Sequence, residues 1–412
     1  MLRASLDAEV RAIESDLIEL RRQLHRCPEL GFAEHQTADL VARHLRDSGL
    51  SVQTGVAGTG VIGLLHGDNQ GPTFAIRACL DALPVEEQSG VDYPSETAGV
   101  MHACGHDGNL VMALGAARIL AGQRSEIWGS IKWIFQPAEE QTGGAAAMID
   151  HGCLENPVVD AIVTLHNWHG YRQGLIVASA GAILAACDLF ELAVIGEAGH
   201  SAWPELAVDP IPVAAEVIAA LQRIVSREID STRPSLLSIG SIHGGSALNV
   251  IPDRVVIGGT VRTLDPAARD FIQRRIGEIA SGVTAAARAS YDLRYDRVMP
   301  PVINDPQLCG LAARAIRAAI GPQGVSDACH PSMGCEEFSL FQERVPGAFL
   351  MIGNDRAGHP AVPIHAPNYI FNDGIIAPGV TALCAVALEY CGCGGDNEDQ
   401  ALARSKTSNG GA

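Results

Sequence analysis

Four short apolar runs constrain the fold of this chain more than any other feature: VIGLLHG (61–67), TFAIRACL (73–80), IKWIFQ (131–136) and AIVTLH (161–166). Each is too short for an ordinary helix and lacks strict polar alternation, which predicts strands covered on both faces. Amphipathic segments at 5–26 and 34–49 and an Ala- and Leu-rich helical period over 109–120 lie among them. Strands alternating with helices predict an α/β domain whose largely parallel sheet is flanked by helices.

The pattern changes near residue 187. DLFELAVIG alternates apolar and polar residues, as a half-exposed strand does. A helix is expected over about 208–230, strands near 235–242 and 255–263, a second helix over about 266–287, and a strand near 291–298. The block 187–300 is therefore a small α+β sheet domain inserted into a discontinuous main domain (1–186 and 301–393), with PPVINDP (300–306) as the return linker. The polar, Gly-rich tail 394–412 is expected to be disordered.

Charge and cysteine usage narrow the function classes. A net charge of -18 disfavours nucleic acid and anionic membranes as partners. The N-terminal segment mixes acids and bases at helical spacing and has no apolar core of a signal peptide, and no apolar run is expected to span a bilayer. Eleven scattered cysteines suit reduced thiols, hence the cytoplasm, better than a disulfide framework. The close pair Cys391 and Cys393 has no His or second Cys pair beside it and is read as incidental.

Polar chemistry gathers at five places in the main domain: Asp81 after TFAIRACL, Cys104 and His106 in MHACGHDG, Glu139 and Glu140 after IKWIFQP, His166 after AIVTL, and His365 in PIHAPNY. Three of the five stand where a predicted strand runs out, which is where ligands collect in open α/β sheets. Cys104 and His106, two apart on a Gly-containing turn, can face one space. Adjacent Glu139 and Glu140 diverge, so that one can hold a metal while the other takes a proton from water, the division of labour of a metallohydrolase. A Cys104–His106 nucleophile pair is the competing reading, but it leaves the other residues without a role. A structural zinc is disfavoured because such sites use closed, paired Cys and His sets. In the insert, His200 (GHSAWPE), Asn249 (NVIPD) and Arg262 (GTVRT) are the candidates, although each alone suits a cap, a turn or a surface charge.

From HRCPELGFAEHQTA (25–38) to HAPNYIFNDGIIAPG (365–379), these motifs, together with GTGVIG, DALPVEE, FQPAEE, LHNWH and EEFS, run in the order of the M20 metallopeptidases. The chain resembles their amidohydrolase branch, which includes hippurate hydrolases, N-acyl-amino-acid amidohydrolases and indoleacetyl-amino-acid hydrolases. The resemblance implies two divalent metal ions per subunit (manganese, zinc, cobalt or nickel) held by Cys104, His106, Glu140, His166 and His365. It implies Glu139 as general base and Asp81 as the acid that orients the metal-side residues. It further implies that the insert is a lid and dimerisation domain in a homodimer or higher homo-oligomer. There His200 and Asn249 serve the neighbouring subunit's site, and Arg262 binds the substrate carboxylate. The expected activity is hydrolysis of the amide bond of an N-acyl amino acid or related small molecule. The alternatives are another C–N bond, such as an N-carbamoyl group or an aryl amine, and a non-catalytic binding protein on the same scaffold. Three positions depart from the family pattern: Cys79 replaces the first acid of RADMDALP, Asn109 the last His of CGHDGH, and Glu205 the His after GHSAWP.

Overall fold

A computed structural model describes Leu2–Gly392, so the tail 394–412 lies outside the described residues. Within them the chain forms two compact units. The larger comprises residues up to Gly181, Asn304–Cys329 and the chain from Leu340 on. The smaller comprises Ala182–Ile303 and His330–Ser339. The segment 330–339 was expected in the main domain. It has no periodicity of its own and joins the smaller unit through main-chain bonds from Ser332 to Ile183 and from Ala185 to Gly334.

In the larger unit the chain runs α1 (Leu2–Arg26), α2 (His35–Asp47), β1 (Ser51–Val56), β2 (Gly60–His66), β3 (Asn69–Cys79), α3 (His106–Ala121), β4 (Trp128–Gln136) and β5 (Ala161–Arg172). The strand Gly347–Asp355 and the helices Pro306–Ile320 and Ile376–Cys391 complete its frame. β4, β3, β5 and Gly347–Asp355 are neighbours and pair in parallel. β1 and β2 extend the β4 side antiparallel, so the eight-stranded sheet is mixed at its edges. Buried parallel strands favour unbroken apolar runs, and Ser130–Gln136 is buried throughout. Lys132 is tolerated there because its ammonium donates to the carbonyls of Cys153, Glu155 and Pro157 at 2.6–3.2 Å.

α3 is the central helix. Fourteen of its sixteen residues are buried, as expected for a helix without a polar face. The stretch Asp373–Cys391 is nineteen residues long and apolar enough, by length and composition, to cross a bilayer, which corrects the expectation that no run reaches that length. Its helix packs on α1, α3 and Pro306–Ile320, and Val380, Leu383 and Val386 belong to the main core. It is therefore apolar because it is a core helix.

The smaller unit is a four-stranded antiparallel sheet in the order Ser235–Gly244, Arg254–Thr263, Ala186–Ile195, Ser290–Met299. The helices Pro210–Arg223 and Pro266–Ala286 pack on it around Phe190, Leu192, Val217, Ile257 and Ile272. Each helix starts on Asp-Pro: Asp209 and Asp265 cap the first free N–H groups, and the proline has no N–H to leave unpaired. The first helix ends at Arg223, earlier than expected, and one π-helical turn (Ile224–Glu228) follows. Arg269 reaches from the second helix to buried Asp188 at 3.0 Å, where the Tyr295 hydroxyl also donates at 2.7 Å.

Candidate metal centre

The sheet delivers its chemistry at the carboxyl ends of parallel strands. Asp81 follows β3, Glu139 and Glu140 follow β4, and His166 lies within β5. Cys104 and His106 arrive on the turn that opens α3. Gly105 between them has φ +79°, a left-handed conformation that side chains resist. A Cβ there would strike the Asn167 and Tyr369 side chains. The turn thus requires glycine for both backbone and space, and the two ligand candidates flank it.

The donor atoms converge. One ligand atom each from Cys104, His106 and His166 lie within 4.8 Å of one another, and the same holds for Cys104, Glu140 and His365, for His106, Glu139 and Glu140, and for Cys79, Asp81 and His106. Two imidazoles are prepared as ligands by what binds their other nitrogen. His106 Nδ1 lies 2.9 Å from the Asp81 main-chain carbonyl, and His166 Nδ1 lies 2.7 Å from the Asn167 carbonyl. A carbonyl can only accept, so in the neutral rings both protons sit on Nδ1 and both Nε2 atoms keep a lone pair. His106 Nε2 is buried with no hydrogen-bond partner, and His166 Nε2 lies 3.6 Å from Cys104 Sγ. His365 Nε2 comes within 3.1 Å of Glu140 Oε1, yet that oxygen makes no aligned hydrogen bond.

The electrostatics favour a cation. Asp81, Glu139 and Glu140 stand beside Cys104 and His106 in a buried space. Burial and then the carboxylates of Glu140 and Glu139 push the Cys104 thiol well above its usual range. An isolated thiol in that field stays protonated and is a poor nucleophile, which argues against the Cys104–His106 nucleophile pair. Orphaned buried donors among surplus carboxylates fit a bound divalent ion. The mixture of sulfur, imidazole and carboxylate suits a borderline metal.

Supporting residues come from outside the motif core. Glu34 is fully buried. It accepts the Ala138 N–H at 2.8 Å and the Thr59 hydroxyl at 2.5 Å, pinning the turn that presents Glu139. Asp81 Oδ2 accepts the Glu140 N–H at 2.8 Å. Asp107 accepts from Arg21 and His25 of α1. Glu34 and His25 lie within the sequence motif 25–38, but an isolated Glu or His there carries no sign of its partner. Asn109, in place of the family histidine, uses Oδ1 to accept the Asn167 N–H at 3.0 Å and so ties α3 to β5. Glu205 is exposed, and nothing in the structure explains it.

In the smaller unit His200 and Asn249 are exposed and adjacent: Val250 pairs with His200, and the Asn249 carbonyl accepts the Ser201 N–H at 3.1 Å. His200 Nδ1 accepts the Ala202 N–H at 3.1 Å, so a neutral ring carries its proton on Nε2. Arg262 donates to the Met333 carbonyl at 3.0 Å and lies 3.6 Å from Cys335 Sγ. It therefore holds the segment 330–339, a contact that the sequence did not signal.

Residues 75–389 match peptidase family M20/M25/M40. The chain belongs to that family. This M20 hydrolase is 38% identical to the N-acetyl-L-cysteine deacetylase of Bacillus subtilis over 85% of its own length and 84% of the relative's. It is 34% identical to the hippurate hydrolase of Campylobacter jejuni over 94% and 99%. Among solved structures, the Bacillus subtilis YXEP protein is described as a dinuclear metal binding peptidase of the M20 family. It superposes with a TM-score of 0.82 at 31% identity, covering 92% of this chain and 99% of that one.

The His25 cluster carries a pH prediction for the M20 hydrolase. Burial pushes His25 down, but its hydrogen bonds to Asp107 and Glu87 outweigh burial and hold it at about 9. A raised histidine stabilises the fold fully below its unfolded pKa, near 6.5, and loses that contribution as pH rises through 9. Stability should fall by about 3 kcal/mol across that window. His25→Gln should flatten the slope, as read from denaturant midpoints at pH 6 to pH 10.

Proposed function

We propose that this protein is a di-metal amidohydrolase that cleaves the amide bond of an N-acyl amino acid. The observation that carries the reading is the convergence of Cys104, His106, Glu140, His166 and His365, with two imidazoles presenting Nε2, around Glu139. These five residues would hold the ions, which are zinc, manganese, cobalt or nickel by the mixed hardness of the set. When bound, divalent ions in such a set acidify water and polarise a carbonyl.

Glu139 takes a proton from the attacking water as its oxygen bonds to the amide carbon. It returns that proton to the nitrogen as the C–N bond breaks, leaving a carboxylate and an amine. Asp81 fixes the Glu140 main chain and faces His106 Nδ1 at 3.3 Å. Arg262 is assigned to the substrate carboxylate, and the His200 Nε2–H to the developing oxyanion. Both would act in a homodimer built through the smaller unit, with His200 and Asn249 serving the partner's centre. The apolar surface around these two residues supports that assembly: Trp203, 56% exposed, lies tilted against His200 with ring centroids 4.8 Å apart, and Leu248 and Val250 flank Asn249 in the open. None of the ten cysteines among the described residues forms a disulfide, which suits a reducing compartment and supports placement in the cytoplasm.

A substrate panel tests the reading. The metal-loaded protein should release free amino acid from N-acetyl and N-benzoyl amino acids, with kcat/KM at least ~10²-fold above that for N-carbamoyl amino acids and aryl amines. Faster turnover of either of the latter would replace the amide reading with another C–N bond.

A further inference from the structure

Cys79 has no role in the reading above. It ends β3, is 2% exposed, and lies in register with Gln136, the last residue of β4. Three donor atoms, one each from Cys79, Asp81 and His106, lie within 4.8 Å of one another. Donors around a single divalent ion, each about 2.0–2.3 Å from it, are separated by roughly that span or less. Of these neighbours, His106 Nε2 is buried and makes no hydrogen bond, and Asp81 Oδ1 faces His106 Nδ1 at 3.3 Å. Cys79 and Cys104 therefore each stand in a buried donor set with His106, and Cys79 does so at a position where the family pattern carries an acid.

We propose that Cys79 is a second thiolate donor of the metal centre, which makes the centre select a thiophilic divalent ion, zinc or cobalt, over manganese. The proposal rests on the metal-centre reading. A carboxylate at this position would suit a harder ion, and a thiolate moves the preference toward softer ones.

Cobalt(II) is the probe, because sulfur-to-cobalt charge transfer reports thiolate ligation without reference to turnover. Cobalt-loaded wild type should absorb in the near ultraviolet. Cys79→Ser and Cys104→Ser should each lose about half of that band, and the double variant all of it, since the intensity counts sulfur ligands. Cys79→Asp provides a second measurement should the serine variant not fold: in competition, its preference for manganese over zinc should rise by at least about tenfold relative to wild type. An undiminished band in folded, cobalt-loaded Cys79→Ser, or an unshifted preference in Cys79→Asp, overturns the proposal and leaves Cys104 as the sole thiolate. A wild type with bound cobalt and no band overturns the proposal together with the ligand role of Cys104.

Discussion

Glu139→Gln should retain its metal and lose ~10²–10⁴-fold in turnover, the range of a missing general base, and more where the water is also misplaced. The amide keeps the volume of the side chain but cannot take a proton. Glu139 is 8% exposed, and its main chain is held by the turn that Glu34 anchors, so the substitution should leave the fold intact. Glu140→Gln should behave oppositely. Its carboxylate shares donor sets with Cys104 and His365 and with His106 and Glu139, and an amide is a weaker ligand, so metal content should fall along with the rate. Steady-state rates and elemental analysis of the same preparations separate the two roles. Metal loss in Glu139→Gln with retention in Glu140→Gln would reverse the assignment. Wild type stripped by a strong chelator should fall to background and recover when a divalent ion is returned.

Mixing two inactive variants should restore activity. If His200 serves the partner's centre, Glu139→Gln damages the metal half of a site and His200→Ala the lid half, so each homodimer carries two damaged sites. In a mixed dimer one site unites both intact halves and the other carries both lesions. With free subunit exchange at equal mixing, about half of the dimers are mixed, each with one working site, and activity should return to roughly a quarter of wild type. Exchange is verified by native mass spectrometry of differently tagged chains. Exchange without recovery would place the action of His200 within its own subunit, or nowhere.

The centre was legible in the sequence to the extent that backbone direction determined it. A parallel strand that ends in a polar residue delivers that residue to one edge of the sheet, so Asp81, Glu139, Glu140 and His166 could be grouped before any contact was known. The two central crossings that carry them needed only apolar runs and helical periods. What escaped notice depends on pairing across long sequence separations. Glu34 beneath the Ala138 turn and His25 against Asp107 involve ordinary polar residues on helical segments, whose partners lie far along the chain. The segment 330–339 has neither period nor apolar run, so its membership of the smaller unit rests on bonds such as that from Arg262 to Met333. The antiparallel edge of the main sheet was likewise hidden, because β1 is largely exposed and offers no buried stripe.

The donors differ in how firmly the fold holds them. Cys104, His106 and His166 are buried and rooted in the central helix and a central strand. His365 sits on a loop, with its side chain 49% exposed and φ at +70°, held by a main-chain bond to the Ala103 carbonyl at 2.8 Å. A residue kept in that conformation gains backbone freedom on letting go, whereas the other three can move only if the core opens. An ion at this centre would therefore enter and leave on the His365 side, and its residence time would be set by the motion of one loop rather than by the stability of the protein.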